Sequence, residues 1–110
     1  MKKRSLLLAG VALVAAVPFT AQPAAAAARC DNGYVCVWSK PNFGGGERDR
    51  KLRPGCYGTV TGGARSVSNQ SGKRITLYSD TGCYGSKVDI KTGHYSSSLP
   101  WKARSVAVWG

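Results

Sequence analysis

Ala64-Arg65-Ser66-Val67 returns as Ala103-Arg104-Ser105-Val106. Each copy follows the same kind of opening. Val37-Trp38-Ser39 leads to Phe43-Gly44 in the first, and Leu77-Tyr78-Ser79 leads to Tyr84-Gly85 in the second. Matching positions lie about 40 residues apart, and such a period marks repeated supersecondary units that cannot bury their apolar faces alone. Two copies are too few for a solenoid. They suit a duplicated unit closing on its twin, with repeat one over about 34–69 and repeat two over about 74–109.

Outward from those tetrapeptides the signals are those of short strands. Tyr34–Ser39 alternates, with Val35 and Val37 on one face and Tyr34, Cys36 and Trp38 on the other. Glu47–Leu52 reads as a charged edge strand, followed by Cys56–Val60 and Arg65–Asn69. In the second repeat Arg74–Ser79, Ser86–Lys91 and Ala103–Trp109 alternate, and Tyr95–Ser97 is a weaker strand. Pro41–Gly46 reads as a loop and Gln70-Ser71-Gly72-Lys73 as a tight turn. Gly and Ser punctuate every stretch, and no apolar pattern of period 3.6 runs past two turns. About eight short strands, four per repeat, predict an all-β sandwich of two antiparallel sheets. The longer connections Gly58–Ala64 and Thr92–Lys102 suit the crossovers of two Greek-key motifs.

The first 28 residues do not belong to that pattern. Lys2, Lys3 and Arg4 open the chain, Leu6–Phe19 is apolar, and Ala24–Ala28 supplies small residues of the kind a signal peptidase cuts after. These are the three parts of a secretory signal peptide. The apolar run falls short of the roughly 20 residues a membrane-spanning helix needs. Cleavage between Ala24 and Ala28 leaves one exported domain close to residues 29–110.

A domain that small is marginal without covalent help. Cys30, Cys36, Cys56 and Cys83 all lie beyond the signal peptide. An even count in a small exported chain predicts two disulfides. A structural zinc site is disfavoured, because no pair has Cys-x-x-Cys spacing and His94 is the sole histidine. Four cysteines allow three connectivities. Cys30–Cys36 with Cys56–Cys83 is favoured: the first pins the N-terminal segment to the first strand, and the second joins the repeats. Loops of those lengths stabilise by about 2.4 and 3.6 kcal/mol on the chain-entropy relation.

Without Lys2, Lys3 and Arg4 the domain keeps 13 Lys/Arg against 5 Asp/Glu, a net +8. That favours encounters with anionic cell-wall polymers, lipid headgroups or acidic proteins. No base-reading motif accompanies the charge, and no nucleic acid is expected as a partner.

Tyr78-Ser79-Asp80-Thr81-Gly82-Cys83-Tyr84-Gly85 resembles the signature of the βγ-crystallins: an aromatic, about five residues, then an aromatic followed by glycine, in a folded-over hairpin. Trp38 through Phe43-Gly44 is similar with one residue fewer, and Ser66 and Ser105 stand where that family places a serine over the hairpin. Within the fold, the chain resembles peptidase inhibitor family I36. That similarity rests on Cys30-Asp31-Asn32-Gly33-Tyr34-Val35-Cys36-Val37-Trp38, on Asn42-Phe43-Gly44-Gly45, on Ala64-Arg65-Ser66-Val67-Ser68-Asn69 and on Thr76-Leu77-Tyr78. The resemblance implies a βγ-crystallin-like sandwich that inhibits extracellular metalloproteases, acting as a monomer.

Calcium-binding βγ-crystallins place two Asp/Asn, two other residues, a Ser/Thr and a Ser at each site. Here the matching stretches are Thr61–Ser66 and Pro100–Ser105. They lack the acidic pair and put Arg65 and Arg104 where the hydroxyl stands, so no calcium and no other cofactor is expected. Catalysis is not expected either. His94 follows Gly93 in a turn with no partner motif, and Glu47 and Asp49 lie among Arg48, Arg50, Lys51 and Arg53 as salt-bridged surface.

The expected function is therefore secreted inhibition of a protease, of the thermolysin type on the family resemblance. Such enzymes prefer large apolar residues after the scissile bond. The candidate reactive segments are Pro41–Gly46, Arg53–Gly63 and Tyr95–Trp101, and none displays an unmistakable bait. The competing reading is a basic secreted binding or antimicrobial protein that uses its charge with exposed Trp101 and Trp109 on anionic surfaces.

Overall fold

The computed structural model describes residues 29–110; the proposed signal peptide lies outside them. Eight strands form: β1 Val35–Lys40, β2 Gly44–Arg50, β3 Gly55–Gly58, β4 Ser66–Asn69, β5 Ile75–Tyr78, β6 Lys87–Ile90, β7 Tyr95–Ser96 and β8 Ser105–Val108. No helix occurs among the described residues. All pairings are antiparallel, in two four-stranded sheets with the orders β2-β1-β4-β7 and β3-β8-β5-β6.

Those orders are one order written twice. Replacing β1, β2, β3 and β4 by β5, β6, β7 and β8 converts one sheet into the other, so the repeats are related by a pseudo-twofold. Each repeat keeps three strands in its own sheet and lends its third to the other. β3 pairs with β8 through Gly55↔Val108 to Gly58↔Ser105, and β7 pairs with β4 through Val67↔Ser96 and Ser68↔Tyr95. Neither repeat is complete alone, which is the physical content of the duplication.

The alternation seen in the sequence places the core. Val35, Val37 and Val67 of one sheet meet Ile75, Leu77, Val106 and Val108 of the other, all buried. Ala64, Leu99 and Ala103 close the end of this cluster. The opposite face of β1 is buried as well. Cys36 and Trp38 pack with Cys30 and Phe43, and Tyr34 and Tyr95 cover them. Asn69, fully buried, has its amide satisfied: Nδ2 donates to Lys73 O and Ile90 O, and Oδ1 accepts from Ser71 N–H and Ser71 Oγ. That fixes the Gln70–Lys73 turn, because a buried amide left unpaired would cost about 1–3 kcal/mol.

Most strand ends shift by a residue or two from the sequence expectation, and two of the differences bear on the candidate segments. The charged edge strand begins at Gly44, not Glu47, because Gly44 pairs with Lys40 across an irregularity after Trp38. The glycine run is thus mostly strand and not loop. The third strand is Gly55–Gly58, so Cys56 sits within a paired strand and Arg53–Gly63 is not one continuous loop. Both disulfides have the favoured connectivity, Cys30–Cys36 and Cys56–Cys83.

Candidate functional site

Each repeat folds its first two strands into a hairpin clasped by a serine from its fourth strand. Ser66 Oγ accepts the N–H of Phe43 (3.0 Å) and donates to Lys40 O (2.7 Å). Ser105 Oγ accepts the N–H of Cys83 (2.8 Å) and donates to Asp80 O. A second hydroxyl supports each hairpin from within, with Ser39 Oγ accepting Gly46 N–H and Ser79 Oγ accepting Ser86 N–H.

These bonds set the register between the repeats, and it differs from the sequence alignment by one residue. Phe43 matches Cys83, not Tyr84, and the glycine that matches Gly85 is Gly45, not Gly44. The backbone agrees. Phe43 and Cys83 both hold positive φ, 60° and 64°, as do Gly45 and Gly85, at 76° and 94°. A Cβ on Gly45 would strike Ser39 Oγ, and one on Gly85 would strike Ser79 Oγ. Positive φ at a phenylalanine and a cysteine is uncommon backbone, held only where its surroundings over-determine it.

What fills the two hairpins is unlike. In the first, the Phe43 ring meets Trp38 edge-on at 5.1 Å and Tyr95 at 5.8 Å. Arg29 lies over the Trp38 ring at 5.7 Å and donates to Phe43 O. In the second, the place of the Phe43 ring is taken by the Cys83 disulfide to Cys56. Tyr84 then has no pocket. It is 72% exposed, the most exposed large apolar side chain of the described residues.

The three candidate segments are less available. Phe43 is buried inside Pro41–Gly46, and Asn42 N–H is held by Ser97 O. Arg53–Gly63 contains strand β3, and Tyr57 Oη donates to Arg53 O. Tyr95–Trp101 is drawn inward by β7 and by Leu99, which is buried and donates its N–H to Arg65 O. The segment missed in the sequence is Thr81–Ser86. A tyrosine between a disulfide cysteine and a glycine is its signal, which the match of Tyr84-Gly85 to the βγ-crystallin signature masks.

Glu47 and Asp49, expected to be salt-bridged, form no ion pair among the described residues. Strand alternation puts Arg48 and Arg50 on the other face of β2, opposite Val37 and Val35, while the two acids share one face with Trp38 and Cys36. Asp49 is exposed as a residue, yet local desolvation of its carboxyl, followed by the hydrogen bond and like charge of Glu47, pushes it up to about 6. The pair abuts Cys36, whose sulfur is engaged in a disulfide and so is no thiolate ligand. The ion pair formed among the described residues is Arg74–Asp89 at 3.8 Å, on the surface. His94 is exposed in a turn, its carbonyl accepting Asn69 N–H.

The aromatics offered to an anionic surface divide. Trp109 is 42% exposed, with Arg74 over its ring at 5.1 Å and its Nε1–H donated to Thr76 Oγ1. Trp101, expected to be exposed, packs half-buried against the core. The two stretches that match the calcium pattern meet at the pseudo-twofold, where Ala64 and Ala103 exchange backbone hydrogen bonds of 2.7 and 2.8 Å. Their charged groups are Arg65, Lys102 and Arg104, all cations.

The sequence model of peptidase inhibitor family I36 matches residues 23–89, well over half of the chain. The chain belongs to peptidase inhibitor family I36. The match takes in all of the first repeat and the Tyr84 hairpin of the second. No curated protein is significantly similar in sequence. Among solved structures, the N-terminal domain of protein S superposes with a TM-score of 0.55 at 21% identity, over 68% of this chain and 93% of that one. A betagamma-crystallin domain from Clostridium beijerinckii superposes with a TM-score of 0.47 at 23% identity, over 69% and 97%. At 21% identity the likeness to the protein S domain concerns the fold alone. With its two four-stranded antiparallel sheets and the superposition on the protein S domain, the fold of this family I36 member is a βγ-crystallin-like sandwich.

Proposed function

We propose that the chain is an extracellular protease inhibitor that offers Tyr84 to its target, and that the target is a zinc endopeptidase of the thermolysin type. Family membership supports the inhibitor role. Two disulfides in a small domain support an extracellular setting. The observation that carries the assignment of the contact is the exposure of Tyr84 on a segment held at both ends.

An inhibitor succeeds when its loop is already in the bound conformation, so little ordering entropy is lost on association. The Thr81–Ser86 segment meets that condition. Cys83 is tied to Cys56 and its N–H to Ser105 Oγ, Asp80 N–H bonds Tyr84 O, and Ser86 N–H bonds Ser79 Oγ. Were a bond within the segment cut, both new ends would stay anchored, which favours religation over release. Tyrosine gives large contact area for two side-chain torsions, and it fits an enzyme that prefers large apolar residues beside the scissile bond. The role needs no nucleophile, base or metal on this chain.

The test is titration of the oxidised protein against a thermolysin-type metalloprotease, with a serine protease as control. Stoichiometric loss of metalloprotease activity alone is expected. Tyr84→Gly is expected to weaken inhibition by about 30-fold or more, as removal of an interface anchor does, while Tyr84→Phe keeps most of it. Inhibition unchanged by Tyr84→Gly would remove this segment as the contact. No inhibition at large molar excess would remove the enzyme class and favour the anionic-surface reading.

A further inference from the structure

We infer that the cleft beside the first hairpin, lined by Lys40, Arg65 and Lys102, is a binding site for a single oxyanion, a carboxylate or a phosphate group. It stands whether or not the chain inhibits a protease.

The cleft encloses about 370 Å³ and opens to solvent. Its lining brings Lys40 and Ser39 from the end of β1, Gly62 and Gly63 from the connection, Arg65 before β4, and Lys102 from the second repeat. None of the five acidic residues lines it. Three cations thus face one space without a counter-charge. Ser39 Oγ, already accepting Gly46 N–H, has its own proton to donate into the cleft.

Arg65 is what sets this cleft apart from a merely basic surface. Its Nε is shielded from solvent and meets no acceptor among the described residues. A guanidinium N–H that neither solvent nor a protein acceptor reaches is costly, and buried polar groups without partners are rare. A small turn of the side chain into the cleft would present the Nε–Nη edge to an oxyanion, the planar fork that carboxylates and phosphates accept in pairs. Lys40 and Lys102 would flank the same oxygens. The second repeat supplies a contrast within the molecule. The pseudo-twofold takes Lys40 to Asp80 and Arg65 to Arg104. Arg104 is exposed and donates Nη1–H to Ser79 O, so that side carries an acid and an arginine already engaged. A further basic cleft of about 400 Å³, with Lys51, Arg53 and Lys73, has an exposed arginine and, among the described residues, no shielded guanidinium nitrogen left without a partner.

The experiment follows arginine Nε–H resonances of the 15N-labelled oxidised protein during titration with inorganic phosphate, and separately with acetate, at ionic strength held constant with chloride. The expected result is a saturable shift of Arg65 Nε–H, with Arg53 and Arg104 moving little. Lys40→Asp, which copies the second repeat at an exposed position, is expected to weaken the response at least tenfold, and Arg65→Gln to leave the backbone amides of Gly62 and Gly63 unshifted. Saturation by phosphate alone assigns a phosphoryl ligand, by acetate alone a carboxylate, and by both a general oxyanion seat. No saturable shift, equal shifts at Arg53 and Arg104, or an unaltered response in Lys40→Asp would each overturn the site.

Discussion

The hairpin of the first repeat and that of the second share a backbone, a clasping serine and a supporting serine, and they differ in what lies between the strands. The first is filled with rings: Trp38, fully buried, against Phe43 and Tyr95, with Arg29 above. The second is closed by the Cys56–Cys83 disulfide, and its Tyr84 turns outward. Both solutions hold the same left-handed residue in place, Phe43 or Cys83. The covalent one does so without using up its aromatic. A duplicated fold can thus keep one copy as core and release the other for contact with a partner.

The widest break between the two hairpins is expected on truncating their equivalent aromatics. Trp38→Ala should cost about 3–5 kcal/mol of stability, the range for a large buried side chain that leaves a cavity. Tyr78→Ala, at the matching half-buried position, should cost well under half of that, since less surface leaves water on folding. Urea unfolding of the oxidised variants measures both. Equal losses would show that the second hairpin is as tightly packed as the first and that the disulfide does not stand in for a ring. Trp38 Nε1–H finds no acceptor among the described residues, so part of the gain from burying this indole is already offset.

The clasping serines should break both hairpins, but to different depths. Ser66→Ala and Ser105→Ala each remove one accepted and one donated bond at a buried site and strand a backbone N–H and a carbonyl. About 1–3 kcal/mol is expected for each in the same unfolding measurement. In the second repeat the disulfide still holds Cys83, so Ser105→Ala should lie at the lower end. Its sharper mark would be faster amide exchange at Cys83, with inhibition weakened if Tyr84 is the contact. A Ser105→Ala protein with unchanged exchange there would show that the disulfide alone fixes the segment.

Much of this contrast was open to reading in the sequence. Ala64-Arg65-Ser66-Val67 and its return at Ala103–Val106 gave the period, Val35/Val37 and Val106/Val108 gave the core faces, and of three possible cysteine connectivities the favoured one is the one found. The register of Phe43 was not. An aromatic followed by glycine occurs at Phe43-Gly44 and at Tyr84-Gly85, whereas the fold aligns residues by backbone conformation and by the serine clasp, neither of which has a letter. The exchange of β3 and β7 between sheets rests on pairings between distant residues, which local alternation does not encode. Arg65 and Arg104 sit in identical tetrapeptides. What tells them apart is what the pseudo-twofold sets beside each: Lys40 and Lys102 beside Arg65, where the second repeat would offer Asp80 and Gly63 to Arg104.

The smallest expected effect belongs to the edge of the first hairpin, where Glu47 and Asp49 crowd one face of β2. The second repeat has Lys87 and Asp89 at the matching positions, opposite Tyr78 and Thr76, and there Asp89 finds Arg74 and the Thr76 hydroxyl. Asp49 finds another acid instead, and its carboxyl is pushed up from 3.8 to about 6. A raised carboxyl binds its proton more tightly in the folded state than in the unfolded one. This group's contribution to stability is therefore greatest below about pH 4, falls as the pH rises from about 4 to about 6, and is level beyond. Because the residue is exposed and screened, the loss should stay below about 1 kcal/mol. Asp49→Asn removes the titrating group, so its melting temperature should vary less between pH 4 and 7 than that of the parent, and should exceed the parent's at pH 7. A parent whose melting temperature rises from pH 4 to 7, by an amount that Asp49→Asn abolishes, would mean that the carboxylate is held by a cation, and that the two edges are more alike than their sequences.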